Sequence, residues 1–321
     1  MTKVFITGAN GFIGRALATR LAAAGHEVCG TDLRADPARG VVAGDISSPG
    51  RWQDSVAGAE WVIHTAALVS NRPDLETAWR VNTAGTRAVL DAAATAGCTR
   101  FVYVSSVRAF SDLGFPDGVT EEHPVRPDGN PYVDTRVAAE QVVLQAHAAG
   151  RLPVTIVRPA DVYGPGSRPW TVLPVAMIKA DRFVLPAMGR GIFSPVYIDD
   201  LVDGILLAAD SPHAVGQVFT LGGGVGVSCA EFFGHYYAML GRRGPIVVPT
   251  PVALALARAM STAARVCRAD SEANPTAVRY LCRTGTYSIE KARRTLGYEP
   301  KVDLTEGMTR VRRWLADTGR L

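Results

Sequence analysis

Thr7-Gly8-Ala9-Asn10-Gly11-Phe12-Ile13-Gly14 is the stretch whose reading decides the fold. It follows a short apolar run, Val4-Phe5-Ile6, and opens a segment rich in Ala and Leu. A strand, a glycine turn and a helix are expected in that order. Gly8 suits the tight turn, Gly11 lets a pyrophosphate approach the backbone, and Gly14 lets the helix pack close on the strand. The helix start then aims free N–H groups and a partial positive charge at phosphates. Three glycines spaced by three are a weak signal alone. Asp32 strengthens it, because it ends the next apolar run about where a carboxylate meets an adenosine ribose. Together they predict a dinucleotide site.

Outward from this turn, short β-branched runs alternate with Ala-rich segments. Strands are expected at residues 3–7, 27–31, 40–43, 61–64, 101–105 and 155–158, and helices at 12–24, 75–96 and 134–148. Gly25, Gly97 and Gly150 serve as helix stops. Such alternation implies an α/β fold with a parallel sheet covered on both faces. After Arg158 the rhythm breaks at Pro159, Gly164, Pro165, Gly166 and Pro169, which predicts a long functional loop. Residues 196–210 read as a strand entering a helix, and 304–317 as a terminal helix. Gly222-Gly223-Gly224-Val225-Gly226 is read as a plain turn after a strand at 218–221, not as a second phosphate loop.

At 321 residues, 47% hydrophobic and 20% charged, the chain is long and apolar enough for a large domain with a smaller one appended. This composition excludes general disorder. A net charge of +4 without a basic, aromatic-interleaved cluster gives nucleic-acid binding no support. Four lysines stand against thirty arginines, a bias that bears on one site position below. Cys29, Cys98, Cys229, Cys267 and Cys282 have no paired spacing, so neither a disulfide framework nor a metal site is expected. A reducing, cytoplasmic setting fits them, as does an N-terminus that runs directly into a strand without a signal peptide. The apolar stretch 247–266 contains Pro249, Pro251 and Arg258 and makes a poor membrane span. Surface association stays open for it, but covering a pocket is the expected role.

By motif order the chain resembles the extended short-chain dehydrogenase/reductase family over nearly its whole length. Besides Gly8, Gly11 and Gly14, the matching pieces are Asp45-Ile46, His64-Thr65-Ala66-Ala67, and Asn82 within Val81-Asn82-Thr83-Ala84-Gly85-Thr86. Ser105-Ser106, Pro131-Tyr132 with Arg136, Arg158-Pro159 through Gly166, Val196 to Asp200, and Ala292 to Pro300 follow. The resemblance implies a Rossmann-type doubly wound parallel sheet with a smaller, mixed α/β C-terminal substrate domain. Residues 1–160 and 196–218 would form the NAD-binding domain, and 161–195 and 219–321 the substrate-binding region. It assigns catalysis to Ser106, Tyr132 and Arg136. It assigns cofactor contacts to Gly8, Gly11, Phe12, Ile13, Gly14, Asp32, Asp45, Ile46, Ala66, Ala67, Asn82, Tyr132, Arg136 and Pro159. It also implies a homodimer built on the helices at 75–96 and 134–148, through Ala84, Val89, Leu90, Ala93, Val137, Ala138, Val142 and Val143.

The chemistry gives its own reasons for these residue types. Hydride transfer at a carbinol carbon needs a group that takes or gives the hydroxyl proton. A phenol does this when a neighbouring cation favours phenolate, and a serine hydroxyl can hold the substrate oxygen. Positions 132 and 136 share one helix face. The family's lysine is here Arg136, which keeps the charge but cannot relay a proton. The arginine-rich composition offers drift without loss; the sharper reading is a slowed, redirected or abolished redox reaction. Asp32 favours NAD over NADP by repelling a 2′-phosphate, with Arg34 and Arg15 nearby.

Substrate candidates are Arg108, Asp161, Trp170 and Phe193, with Arg168 beside them. Nucleotide-sugar members of the family place Asn where Asp161 stands and Arg where Phe193 stands, both for a diphosphate, so a nucleotide sugar is disfavoured. Val107-Arg108 replaces the Asp-Glu pair of dehydratases. Val252, Leu254, Leu256, Ala257, Met260, Ala263 and Val266 form a helix-like apolar face, with Arg258, Arg265 and Arg268 on its polar side. This face resembles the 3β-hydroxysteroid dehydrogenase-like branch; an ordinary core helix is the plain alternative. Plain readings also apply elsewhere. Ser105 is expected to satisfy strand-end backbone, His64 to sit in the core, Asp199 and Asp200 to cap the next helix and tie the domains, and Arg108 to be solvated. Three functions follow: an NAD-dependent oxidoreductase of a lipophilic or small non-nucleotide secondary alcohol or ketone, a sugar or nucleotide-sugar epimerase, or a non-catalytic NAD-binding protein.

Overall fold

Strand–helix units follow one another through the first half of the chain, as the alternating pattern dictates. The computed structural model describes residues 1–70, 74–114, 116–266 and 274–321, the side chains of 263–266 excepted. Cys267 and Arg268 lie outside the described residues, as do the side chains of Ala263, Arg265 and Val266. β1 (Lys3–Thr7) passes through the glycine turn into α1 (Phe12–Ala23), then β2 (Glu27–Asp32), β3 (Val41–Ala43) and β4 (Trp61–His64). Next come α2 (Leu75–Trp79), a π turn (Arg80–Ala84), α3 (Gly85–Thr95), β5 (Arg100–Val104), α4 (Pro131–Ala148) and β6 (Val154–Pro159). The loop region holds β7 (Asp161–Tyr163), α5 (Leu173–Lys179), β8 (Val184–Leu185), β9 (Ile192–Phe193) and β10 (Pro195–Tyr197). Then follow α6 (Ile198–Asp210), β11 (Val218–Leu221), β12 (Val227–Ser228), α7 (Cys229–Met239) and β13 (Ile246–Val247). Four helices close the chain: α8 (Thr250–Val266), α9 (Pro275–Tyr280), α10 (Glu290–Leu296) and α11 (Leu304–Asp317).

Seven parallel strands form the main sheet in the order β3-β2-β1-β4-β5-β6-β11. Val4 pairs with Val28 on one side and Trp61 on the other. The strand order reverses at β1, and ligands of doubly wound sheets bind outside the carboxyl ends at such a point. Val4, Phe5 and Ile6 are fully buried because helices cover both faces. Each such side chain contributes roughly 1.5–3 kcal/mol on burial.

Four local expectations need correction. The predicted helix 75–96 is interrupted by the π turn at Arg80–Ala84, where the Asn82 side chain turns inward to bond neighbouring chain. α4 starts at Pro131, three residues early, because Asn130 caps it by accepting from the Tyr132 N–H at 3.0 Å and proline suits the first helical position. Neither Asp199 nor Asp200 caps α6. Asp200 instead accepts the Lys301 and Val302 N–H groups at 2.8 and 3.1 Å, and Asp199 pairs with Arg310, so both tie α6 to the approach of α11. On the face assigned to a dimer, Val89, Leu90, Ala93 and Val143 are buried within the chain, while Ala84 is exposed and Ala138 and Val142 half-buried.

Candidate active site

A cleft of about 2060 Å³ opens along the carboxyl ends of the strands and runs under α8 and α9. Single small-molecule sites span roughly 300–1,000 Å³, so this one has room for a dinucleotide and a second molecule.

Gly8, Gly11, Phe12, Ile13 and Gly14 line one end. Gly8 has φ +69°, and a Cβ there would sit 2.9 Å from the Ala66 backbone; at Gly14 it would sit 2.2 Å from the Gly8 carbonyl oxygen. Gly11 precedes α1, and among the described residues no side chain caps that helix, which leaves its first-turn N–H groups for an anion. Asp32 Oδ2 accepts from Asn10 N at 2.9 Å and Oδ1 from Leu33 N at 2.8 Å. Each oxygen keeps a lone pair for a ribose hydroxyl. Arg34 meets Asn10 only through its carbonyl in these contacts, whereas Arg15 Nε donates to the Asn10 carbonyl at 2.8 Å. Arg39, which carried no motif, reaches the Ala9 carbonyl at 2.9 Å and Asn10 Oδ1 at 3.2 Å.

Asp45, Ile46, Ala66 and Ala67 line the next section of wall. Hydrogen bonds from Ser47 hold the Asp45 carboxyl below the usual range. Asn82 does not line the cleft. Its buried amide accepts from Leu68 N at 2.8 Å and donates to the Leu68 carbonyl and Thr135 Oγ1, so it fixes the cleft turn from behind. His64 also acts from behind. Thr86 gives its single hydroxyl proton to the Asn82 carbonyl at 2.6 Å, so His64 Nε2 must donate to Thr86. His64 Nδ1 then accepts from Thr7 at 2.6 Å. Burial, with Arg136 nearby, lowers this imidazole to about 3 and keeps it neutral.

At the centre lie Ser106, Tyr132 and Arg136, with Pro159 beside them. Ser106 Oγ accepts from Arg108 N at 3.2 Å and starts a short turn. The Arg136 guanidinium carbon is 5.2 Å from the Tyr132 ring centre, and Nη1 donates to Tyr103 Oη at 2.9 Å and the Val104 carbonyl at 3.3 Å. Burial by itself would push the Tyr132 phenol up. The charges of Arg136 and then Arg108, with hydrogen bonds from Arg136 and Ser106, outweigh it and hold the phenol below its ordinary value. Arg136 Nε is buried with no hydrogen-bond partner among the described residues, a donor left for a bound group. Bare helix N–H groups, the Asp32 carboxylate and this donor all fit a dinucleotide. Ser105 serves differently from expectation: its hydroxyl donates to Glu140, which pairs with Arg158 at 2.6 Å in the core. Among the described residues no cluster of His, Cys, Asp or Glu could hold a metal ion.

Beyond Tyr132 the wall turns apolar, with Trp170, Leu173, Met177, Phe183, Phe233, Ala253, Leu256 and Met260. Phe193 is corrected here: it is fully buried, 4.9 Å from Trp170 and 4.0 Å from Phe232 by ring centres, and supports the wall without facing the cleft. Asp161 lines the cleft, but its carboxylate is occupied by Ser194 N at 2.9 Å, Arg283 at 3.3 Å and the Tyr280 hydroxyl. Its charge is neutralised locally, so the repulsion expected from it is weak. Arg108 is not solvated; its side chain is 12% exposed and paired with the buried Asp112. Tyr280 was missed, because it lies in no motif and reaches the cleft only through the packing of α9. Gly223 packs so closely on β10 that a Cβ would sit 2.4 Å from the Pro195 carbonyl oxygen, which makes the glycine run a turn.

Comparison with known proteins places these features. Residues 4–222 match the NAD dependent epimerase/dehydratase family. A ketoreductase of Stigmatella aurantiaca, acting on 4-hydroxy-2-methyl-3-oxo-4-farnesyl-3,4-dihydroquinoline-1-oxide, is 31% identical over 97% of this chain and 96% of its own. A 3-beta-hydroxysteroid dehydrogenase of Mycolicibacterium neoaurum is 28% identical over 95% of this chain and 89% of its own. The solved structure of MoeE5 with UDP-glucose and NAD superimposes with a TM-score of 0.80 at 26% identity, covering 98% of this chain and 99% of that one. Among the described residues no helix is long and apolar enough to cross a membrane.

Proposed function

The chain belongs to the NAD-dependent epimerase/dehydratase family, and from that premise we propose that it interconverts a secondary alcohol and a ketone on a lipophilic, non-nucleotide substrate. The enzyme is an NAD-dependent dehydrogenase/reductase of the extended short-chain type. One observation carries the substrate class: the wall beyond Tyr132 is apolar, and neither position expected to grip a diphosphate offers a free group. Phe193 is buried and Asp161 is held by Arg283. The farnesylated substrate named for the ketoreductase relative is of the same character.

NAD, when bound, supplies the acceptor or donor of hydride. Asp32 would accept from the adenosine ribose hydroxyls, the α1 start would take the pyrophosphate, and Arg136 Nε would be the donor for the nicotinamide ribose. Ser106 holds the substrate oxygen. Tyr132 takes the hydroxyl proton in oxidation and returns it in reduction, helped by the cations that favour its phenolate. We assign residues 1–160 and 196–218 to the cofactor domain, with 161–195 and 219–321 holding the substrate. A homodimer is proposed through the π turn before α3 and the outer face of α4, at Ala84, Ala138 and Val142; light scattering that returned a monomer would exclude it.

The test is a substrate panel with cofactor stoichiometry. Apolar ketones should oxidise NADH one for one. Turnover of a UDP-sugar without net change in NAD absorbance would establish the epimerase reading instead, and no turnover with tight NAD binding the non-catalytic one.

A further inference from the structure

We propose that Arg108 is a second positioning cation for Tyr132, sharing with Arg136 the task of holding that phenol ready to lose its proton. The inference rests on the proton-transfer role given to Tyr132 above. The Arg108 guanidinium carbon lies 5.0 Å from the Tyr132 ring centre, against 5.2 Å for Arg136. The two come from different elements, Arg136 from α4 and Arg108 from the turn after β5.

Arg136 does not serve Tyr132 alone. Its Nη1 is committed to the Tyr103 hydroxyl and the Val104 carbonyl, so its charge is divided between two buried phenols. Arg108, by contrast, is anchored beside Tyr132. Its Nε donates to both Asp112 carboxylate oxygens at 3.0 and 3.1 Å. Asp112 is in turn fixed by its own N–H on Asp128 at 2.7 Å and by Asn130 Nδ2 at 3.3 Å. Asn130 is the residue that caps α4 through the Tyr132 N–H, so the arginine and the tyrosine are located by one network.

The backbone is bent to build it. Ser111 has φ +94°, a glycine-favouring conformation, and is fully buried with its hydroxyl on Asp128 at 3.0 Å. Such strain persists where surroundings over-determine it. Here it turns the chain so that Asp112 faces back on Arg108.

The other charges around Tyr132 are spoken for. Glu140, on α4, pairs with Arg158, while Arg283 from beyond α9 pairs with Asp161. Ser106 from the end of β5 and Tyr280 from α9 are neutral, and the Tyr280 ring flanks Arg108 at 4.9 Å. Asp112 offsets part of the Arg108 charge, yet Arg108 still acts on Tyr132 in the lowering direction, second among the charges to Arg136.

The test uses the NAD-saturated protein and two readouts: the pH titration of tyrosinate absorbance, taken as the difference from Tyr132→Phe, and the pH–rate profile for oxidation of an apolar alcohol. Arg108→Met should move the Tyr132 midpoint and the ascending, acid-side limb of the oxidation profile upward, less than Arg136→Met does, with oxidation near pH 7 falling about tenfold. The double variant Arg108→Met/Asp112→Asn, which strands no buried charge, should do the same, and Arg108→Lys should restore both. An unmoved midpoint in the double variant, with Arg136→Met still shifting it, overturns the proposal and leaves the Tyr132 chemistry standing. Wild-type turnover by Tyr132→Phe overturns the chemistry itself, and the proposal with it, whatever the titration reads.

Discussion

Arg136 stands one helical turn after Tyr132, 5.2 Å from its ring centre, yet bonds through Nη1 to the hydroxyl of Tyr103 rather than pointing wholly at the cleft. The charge required for phenolate chemistry is present, in a residue that cannot itself pass on a proton. Tyr132→Phe should therefore lower turnover by about 10²–10⁴ while NAD affinity stays nearly unchanged. Arg136→Lys should keep or raise turnover, and Arg136→Met should lose rate and some cofactor affinity together. Steady-state kinetics and a cofactor titration read both, and a harmless Tyr132→Phe would remove the tyrosine mechanism.

Asp32 holds its two oxygens on Asn10 and Leu33 N–H groups, which fixes a negative charge at the ribose end of the cleft. NAD should bind at least about tenfold more tightly than NADP, near 1.4 kcal/mol. Asp32→Ala should erase most of the preference. Equal affinities in the wild type, measured by fluorescence titration, would shift the dominant role to the arginines around Asn10.

The apolar wall should report on substrate alone. Leu256 lines the cleft and is 47% exposed, so Leu256→Ser should be tolerated by the fold. A lost apolar contact of about 1–3 kcal/mol predicts a kcat/KM some tenfold lower for lipophilic ketones, with the NAD dissociation constant unmoved. An unchanged kcat/KM would place the substrate elsewhere in the cleft.

His64 should make the protein acid-labile. Its imidazole accepts a proton near 6.5 when unfolded but only at about 3 when folded, because it is buried between Thr7 and Thr86. The unfolded chain thus binds more protons below 6.5. The stabilisation is complete above that pH and is lost as pH falls toward 3, at up to about 1.4 kcal/mol per pH unit. Urea midpoints at pH 7 and 5 should separate more for the wild type than for His64→Gln, and equal separations would count against it.

Much of this site is legible in the sequence alone. β1, the glycine turn and α1 fall where the sequence places them, because turn dihedrals and apolar periodicity are local properties. Ser106, Tyr132, Arg136 and Asp32 do meet in one cleft. The misreadings share a cause. The π turn, the inward Asn82 and the inverted role of Ser105 all depend on what an adjacent element offers as a hydrogen-bond partner.

The sequence by itself determined the parallel sheet, the glycine turn after β1 and a tyrosine–arginine pair one turn apart, since each follows from spacing along the chain. Tertiary structure alone decided the state of the charges around that pair. Tyr280 and Arg283 come from positions 119 and 122 residues beyond Asp161 to neutralise it. Arg108 is drawn inward by Asp112 and by the cap of α4, against the solvated arginine its neighbours suggested. A buried charge must find a partner or carry a heavy desolvation cost, and which partner it finds is settled only when distant segments pack.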